Sequence, residues 1–248
     1  MGKIKNENEK FSDEFGYSTL ENIASAGKFN RWMYDTITSF CNGEILEVGG
    51  GIGNISHCFL SDGKNLTITD LQDEYCEVIK ENLGDNGKLQ QIICMDIVDP
   101  DFDIKHQFLF GKFDAVFALN VVEHIEDDLL AIENCKKLLK SGGQLVILVP
   151  AFQFLFNSFD KALGHFRRYK KKGLVDLFLK NELQIVHSQY FNFVGTLGWW
   201  VSGNLLRKKI VPEGQMKLYD FLVPVIKIID YFTKRFIGLS VIAVGKKE

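Results

Sequence analysis

Several features of secreted and membrane-spanning chains are missing from the 248-residue sequence. The five cysteines are odd in number and widely spaced, and none belongs to a CxxC pair, which fits a reducing compartment. The first residues contain no apolar stretch of a secretory signal. No apolar run reaches the roughly 18 residues that a membrane span needs. We therefore expect a cytoplasmic protein.

The composition, with 46% hydrophobic and 25% charged residues, is that of an ordinary globular domain. The net charge of −3 hides an asymmetry between the two parts of the chain. Residues 1–159 carry 13 Lys and Arg against 25 Asp and Glu, whereas residues 160–235 carry 14 against 6. The asymmetry is either chance variation on solvated faces or a sign that the later part faces something anionic, such as a phosphate-bearing substrate or a membrane surface.

Short β-rich runs alternate with helix-like stretches from Glu44 onward, which is typical of a parallel α/β sheet. The predicted strands cover residues 44–48, 66–69, 90–93, 113–119, 145–149, 184–191 and 237–244. Helices are predicted from Asn54, over 127–139 with a glycine stop at 141–143, and over 172–180. Residues 192–236 interrupt the alternation and form an insertion between the last two strands.

A glycine-rich turn, Glu47-Val48-Gly49-Gly50-Gly51-Ile52-Gly53, directly follows the first predicted strand. Glycine is needed where the backbone turns tightly and approaches a ligand closely. The turn lacks the third glycine of the dinucleotide pattern GxGxxG, because residue 54 is Asn. The carboxylate of Glu47 also suits a cationic ligand better than a pyrophosphate. The turn therefore favours a nucleoside-type ligand over a dinucleotide.

Two further acids stand where the next strands end. Asp70 closes the second strand and can accept hydrogen bonds from both hydroxyls of a ribose. Asp96 follows the third strand and can meet the amino group of an adenine. Each aspartate alone could simply cap or turn the chain. Three acids at successive strand ends beside a glycine turn favour a nucleoside site.

These motifs resemble those of class I S-adenosylmethionine-dependent methyltransferases over nearly the whole chain. The resemblance implies an enzyme with a Rossmann-like, doubly wound, seven-stranded and mostly parallel α/β sheet whose last strand is antiparallel. It implies S-adenosylmethionine as cofactor, S-adenosylhomocysteine as product, and one domain over 1–248 with helices in 1–42 above the donor and a helical cap over 192–236. The implied donor-binding residues are Glu47, Gly49, Gly51, Gly53, Asp70, Leu71, Asp96, Ile97 and Asn120.

The segment Asp160 to Tyr169 contains Gly164-His165-Phe166-Arg167-Arg168-Tyr169, which resembles a GHxRRY pattern of a bacterial subgroup of these methyltransferases. His165, oriented by Asp160, is a candidate general base. The alternative is that His165 caps a helix or bonds a backbone carbonyl. His124 is a second catalytic candidate, although a histidine at that position more often packs within its loop.

The predicted substrate-binding residues are Arg167, Arg168, Tyr169 and Trp199. The two arginines would clamp a carboxylate or phosphate, or they pair with the acidic first part of the chain and only stabilise the fold. Residues 192–236 are aromatic, apolar and basic. They form a cap packed on the core, a lid over an apolar acceptor, or an interfacial helix over 216–232 that Pro224 would weaken.

We expect methyl transfer to a small, partly apolar or lipid-like acceptor, on oxygen, with transfer to nitrogen or carbon left open. The alternatives are an NAD-dependent oxidoreductase of the same fold and a non-catalytic protein that binds S-adenosylmethionine as a scaffold. The mildly acidic chain predicts no nucleic-acid partner. No His/Asp cluster has the sequence spacing of metal ligands, so no metal is expected. A peripheral position at the inner face of the membrane, through 192–236, is the alternative to a free cytoplasmic enzyme.

Overall fold

One mixed sheet forms the centre of the protein in a computed structural model that describes residues 14–208 and 213–248. Its seven strands lie in the order β3-β2-β1-β4-β5-β7-β6, and β7 alone runs opposite to the other six. The strands are β1 (Ile45–Val48), β2 (Leu66–Asp70), β3 (Leu89–Cys94), β4 (Phe113–Leu119), β5 (Leu139–Pro150), β6 (Leu183–Phe191) and β7 (Ser240–Lys247). The predicted fold class, including the antiparallel last strand, is confirmed.

Helices cover both faces of the sheet. They are α1 (Glu14–Ala24), α2 (Gly27–Ile37), α3 (Ser56–Ser61), α4 (Asp73–Leu83), α5 (Phe102–Lys105), α6 (Asp128–Leu138), α7 (Ser158–Ala162), α8 (Lys171–Lys180), α9 (Phe193–Trp200) and α10 (Glu213–Thr233). Successive strand residues enter opposite cores, as Ile45 and Leu46 do in β1. The strands β1 and β2 are covered on both faces and buried throughout. Their residues are therefore apolar, except for Glu47, Asp70 and two threonines.

The starts of β5 and β7 are among the boundaries that differ from the sequence prediction. The predicted glycine stop after α6 lies inside β5, because Leu139 already pairs with Phe113 before pairing resumes at Gln144. The last strand begins at Ser240 rather than 237, because Ser240 pairs with both Pro150 and Phe191. In both cases the register of the neighbouring strands decides the boundary, and local glycine or β-branched content does not.

The insertion between β6 and β7 contains α9, a π-helical turn over Val201–Leu205, and α10. Pro224 lies inside α10, yet the helix continues to Thr233, contrary to the expected weakening. Val223 and Ile226 are buried in the core on either side of the proline, and this packing holds the helix together. None of the described helices, α10 included, is both long and apolar enough to cross a membrane.

Candidate active site

The glycine turn is fixed to the neighbouring strand by its own backbone. The amides of Gly49 and Gly50 donate to Thr69 O at 2.8 and 2.9 Å. Gly49 has a φ of +74°, and a Cβ on it would overlap the side chain of Val121. Leu20 of α1 lies in the same way against Gly51. The turn therefore lies between α1 and the segment after β4, with no room for larger residues.

Asp70 connects the end of β2 to this turn. Its Oδ2 accepts from Gly51 N at 2.8 Å, and its Oδ1 accepts from Gln72 N at 3.1 Å. Burial raises the pKa of Asp70 above its ordinary value, although these backbone bonds oppose the shift. Each carboxylate oxygen accepts about two hydrogen bonds, so the group can still accept from a ligand beside its backbone donors at Gly51, Leu71 and Gln72. Two acceptor positions on one carboxylate fit the vicinal hydroxyls of a ribose.

Glu47 points into the protein rather than toward the crevice. Its carboxyl group is buried at the end of β1 and accepts a short hydrogen bond from Ser56 Oγ of α3. Burial raises the pKa of Glu47 to about 8, the bond from Ser56 opposes this, and the charge of Asp70 adds to it. Glu47 thus ties the turn to α3 and holds its proton near neutral pH.

The remaining predicted donor residues lie around the same crevice. Asp96 Oδ1 accepts from Val98 N at 2.9 Å, and Ile97 O accepts from Asn134 Nδ2 at 2.8 Å. Leu71 is 62% exposed beside Asp70. Asn120 has a φ of +55° directly after β4. The structure brings all nine predicted donor residues to the carboxyl ends of β1 to β4, around the point where strand order reverses, as ligand sites of such sheets require.

Asp160 is the centre of a buried network on the other side of the crevice. Its Oδ2 accepts from Asn157 N at 2.9 Å and closes a capping box at the start of α7. Its Oδ1 accepts from Arg168 Nε at 2.7 Å and lies 2.8 Å from His165 Nδ1. Burial alone would raise the pKa of Asp160, but the bonds from His165 and Arg168 outweigh it and hold the pKa below its ordinary value.

The two predicted clamp arginines already have partners inside the protein. Arg168 is buried, donates to Ala151 O at 3.2 Å, and stacks on the Trp199 ring at 4.8 Å. Arg167 pairs with Asp128 at 2.9 Å, and the Tyr169 hydroxyl donates to the same carboxylate at 2.8 Å. These contacts match the alternative reading in which the arginines stabilise the fold. Contact of these side chains with an acceptor remains a prediction.

His124 and His165 meet beside Glu123 at the mouth of this network. Their ring centroids lie 4.5 Å apart, with the two rings nearly perpendicular. The carboxyl group of Glu123 is fully buried, and neither oxygen has a hydrogen-bond partner among the described residues. Burial raises the pKa of Glu123 to about 8. His124 is exposed as a residue, yet the protein around its imidazole removes water from the charged form and lowers the pKa to about 4.

Comparison with known proteins matches this architecture to one family. Residues 46–147 match the family described as "Methyltransferase domain". The ubiquinone biosynthesis O-methyltransferase of Haemophilus ducreyi is 26% identical over 159 residues, which cover 57% of this chain and 66% of that protein. The enzyme of the same name from Actinobacillus pleuropneumoniae serotype 5b is 30% identical over 123 residues, covering 47% and 51%. Residues 46–147 of the chain thus match a methyltransferase domain, which supports the predicted S-adenosylmethionine-dependent family.

Solved structures share the fold of this chain at low identity. A SAM-dependent methyltransferase from Archaeoglobus fulgidus superposes with a TM-score of 0.57 at 14% identity, covering 88% of this chain and 94% of that one. The [4+2]-cyclase SpnF superposes with a TM-score of 0.60 at 14% identity, covering 88% and 80%. The predicted family, and with it the donor that the family uses, is confirmed. The match spans about half to two thirds of the curated relatives' length.

Sequence reasoning missed two residues of this candidate site. Glu123 stands beside His124 in the motif after β4, and a carboxylate next to a histidine at a strand end was a usable indication. Ser56, the partner of Glu47, gave no such indication, because a serine in a short helix is common. Both roles depend on which side chains the fold brings into contact.

Proposed function

We propose that the chain transfers the methyl group of S-adenosylmethionine to a hydroxyl oxygen of a small, partly apolar acceptor. The observation that carries this proposal is the contact of Gly49 with Val121, which sets the donor turn beside the segment bearing Glu123 and His124. Donor cradle and acid–base groups thus face one crevice. The relatives named as O-methyltransferases support oxygen as the acceptor atom.

The donor side would act mainly through shape and hydrogen bonding. Asp70 would hold the ribose hydroxyls, and the backbone at Gly49 and Gly51 would allow a close approach. Leu20 of α1 covers the turn and limits access of water. When bound, S-adenosylmethionine supplies an electrophilic methyl group on a sulfonium sulfur. The protein's own task is then to align a nucleophile and remove its proton.

His165 is the candidate that receives the hydroxyl proton when its ring nitrogen Nε2 has no other partner. Its Nδ1 faces Asp160 Oδ1 at 2.8 Å, which leaves Nε2 as the nitrogen available for the proton. The carboxylate of Asp160 would fix the tautomer and stabilise the imidazolium that forms, as the orienting acid does in a catalytic triad. The side chain of His165 is 6% exposed, so its orientation is well constrained by packing.

Calorimetric titration with S-adenosylmethionine, S-adenosylhomocysteine and NAD tests the donor. We expect micromolar binding of both adenosyl ligands and none of NAD. Release of S-adenosylhomocysteine would then be followed with hydrophobic phenols, acids and lipid-linked alcohols as acceptors. Binding of NAD would favour the oxidoreductase, and donor binding without turnover on any acceptor would favour a scaffold protein.

Substitution of His165 tests the base. His165→Ala should lower turnover strongly while leaving the Kd for the donor nearly unchanged, because the side chain lies outside the donor cradle. The matched control is His57→Ala, which removes an exposed histidine of α3. Equal turnover of His165→Ala and the native protein across the pH range would remove His165 from the mechanism.

The exposed face of α10 supports a lipid-borne acceptor. Large apolar side chains at helical spacing are 58–70% exposed on it: Leu218, Phe221, Val225, Ile228, Tyr231 and Phe232. Soluble monomers rarely expose a continuous apolar patch of this kind. Two basic residues, Lys234 and Arg235, directly follow the end of this helix. We propose that this face rests on the surface of an anionic membrane.

Co-sedimentation with vesicles tests the membrane contact. Vesicles of phosphatidylcholine with phosphatidylglycerol should bind the protein more strongly than phosphatidylcholine alone. Phe221→Glu with Val225→Glu should abolish this binding. Ile104→Glu is the control, because Ile104 is 82% exposed on α5, away from α10. Unchanged vesicle binding by the double variant would contradict the proposal. A native protein that is dimeric in light scattering, with a monomeric double variant, would also contradict it, because the apolar face would then be a subunit interface.

A further inference from the structure

We propose that Glu123, His124 and His165 form a binding site for a divalent transition-metal cation of the Zn²⁺ type. One ligand atom from each of the three residues lies within 4.8 Å of the others. The sequence gives no metal-binding pattern here, because His165 comes from the loop after β5 and the other two from the turn after β4. Folding alone brings the three side chains together.

The carboxyl group of Glu123 is the observation that points to a ligand. It is fully buried, and both oxygens lack a hydrogen-bond partner among the described residues. Buried polar groups in native proteins are nearly always paired, and an unpaired one calls for an explanation such as an ion. Arg168 is already paired with Asp160, so the buried carboxyl group of Glu123 has no counter-charge of its own. A bound cation would supply one.

The two histidines are supported as metal-binding histidines usually are. His165 Nδ1 lies 2.8 Å from Asp160 Oδ1, so its Nε2 is left for another partner. The His124 ring is hydrogen-bonded to the backbone of Leu163, which likewise leaves its second nitrogen. Metal-ligating histidines almost always donate their other ring N–H to a carboxylate or a backbone carbonyl, which fixes the tautomer and the ring orientation. Both kinds of support occur here.

The ligand set selects the metal class. Two imidazoles and one carboxylate suit Zn²⁺, Co²⁺ or Fe²⁺, whereas Mg²⁺ and Ca²⁺ prefer oxygen ligands. Three protein ligands leave an open coordination position, as in catalytic zinc sites. Ligand atoms on a tetrahedral Zn²⁺ lie about 3.3 Å apart, so side chains separated by up to 4.8 Å need only small rotations. His124 is exposed, which gives the ion and a substrate an entry path.

A cation at this site deepens the proposed function and rests on it for its role. A hydroxyl at the open position would have a lowered pKa and would lose its proton to water near neutral pH. The free electron pair on oxygen would then form a bond to the donor methyl carbon while the methyl–sulfur bond breaks, and S-adenosylhomocysteine would leave with that bond's electron pair on sulfur. His165 Nε2 cannot both bind the cation and accept the proton, so the metal replaces the histidine as the group that activates the hydroxyl.

Metal binding can be measured without donor or acceptor, which separates this inference from the proposed function. The full chain, stripped with a chelator, is titrated with Zn²⁺ by calorimetry and with Co²⁺ by visible absorption, with Mg²⁺ as the comparison. We expect one Zn²⁺ per chain and no Mg²⁺ binding at micromolar concentration. With Co²⁺ we expect the visible d–d bands of a four-coordinate site.

Variants identify the ligands. Glu123→Gln and His165→Gln should each weaken Zn²⁺ binding by more than the roughly 10–100-fold that loss of a supporting residue costs. Glu123→Gln keeps the shape of the side chain, and circular dichroism checks that both variants are folded. The exposed His57→Gln on α3 is the matched control and should bind as the native protein does. Absence of stoichiometric Zn²⁺ binding, or equal affinity in folded Glu123→Gln, would overturn the site even if methyl transfer is found.

Discussion

The two sides of the crevice are built in different ways. The donor side consists of one glycine turn and Asp70, which are held together by hydrogen bonds of the turn's backbone. On the opposite side, Glu123 and His124 from the turn after β4 meet His165 from the loop after β5, where Asp160 links Arg168 and His165. Backbone geometry therefore shapes the donor side, whereas the meeting of Glu123 and His124 with His165 exists only when two loops have packed together.

The acids on the two sides also differ in their electrostatics. Burial raises the pKa of Glu47 and of Asp70 on the donor side. Paired with His165 and Arg168, Asp160 has a lowered pKa although it is buried as well. Burial thus shifts the pKa of both donor-side acids upward, whereas the opposite side keeps a buried charge pair. Four predictions test this contrast, from the largest expected effect to the smallest.

The largest effect should come from breaking the charge pair with Asp160→Asn. The side chains of Asp160 and Arg168 are 0% and 1% exposed, so the variant leaves a buried guanidinium without its counter-charge. We expect the free energy of unfolding to fall by about 3–5 kcal/mol, measured by urea denaturation at pH 7. Since the pKa of Asp160 is lowered, its contribution is present above pH 4 and lost as pH falls further.

The exposed pair of Arg31 and Asp62 is the control for that experiment. Its side chains are 48% and 34% exposed, so Asp62→Asn should shift the denaturation midpoint far less. Equal losses in the two variants would show that Asp160 is no more important to the fold than a surface acid.

The second prediction concerns pH and Glu47→Gln. The folded protein keeps the proton of Glu47 up to about pH 8, whereas the unfolded chain loses it near its ordinary value of 4.5. The contribution of Glu47 to stability therefore declines as pH rises between these values, by up to about 1.4 kcal/mol per pH unit. Glutamine does not titrate, so the variant's free energy of unfolding should fall less steeply between pH 5 and 8. Parallel curves would contradict the raised pKa.

The third prediction is weaker donor binding by Asp70→Ala. Loss of hydrogen bonds to a charged group should weaken S-adenosylmethionine binding by roughly 1.5–3 kcal/mol, or about 10- to 150-fold in Kd. Calorimetric titration measures this, and Asp70→Asn, which keeps one acceptor oxygen, should lie between the native protein and the alanine variant. An unchanged Kd in folded Asp70→Ala would refute the assignment of Asp70 to the ribose.

The smallest effect is expected for Gly49→Ala. Its φ of +74° disfavours a side chain, and the added Cβ would push against Val121. The conformation alone should cost about 1–2 kcal/mol in the free energy of unfolding, measured by thermal and urea denaturation. Gly87→Ala is the control, because a Cβ there meets nothing within 4 Å. Equal free energies of unfolding for Gly49→Ala and Gly87→Ala would contradict the close packing of the glycine turn.

Much of the fold was predictable, because each buried strand and covering helix has its own pattern of apolar residues. Phe113–Leu119 was predicted with its observed ends. The start of β7 and the glycines inside β5 were not, since the pairing of Ser240 and Leu139 with distant strands decides them. Pro224 was read as a helix weakener, and core packing of Val223 and Ile226 overrode that local preference.

The sequence by itself determined the sheet, the donor turn and Asp70, because these depend on periodicity and on backbone geometry within a few residues. Only the tertiary structure decided that Glu47 faces Ser56, that Arg168 pairs with Asp160, and that Glu123 meets two histidines. The physical reason is that burial and long-range contact set the charge and the partners of a side chain. Neither is encoded by the residues next to it in the chain.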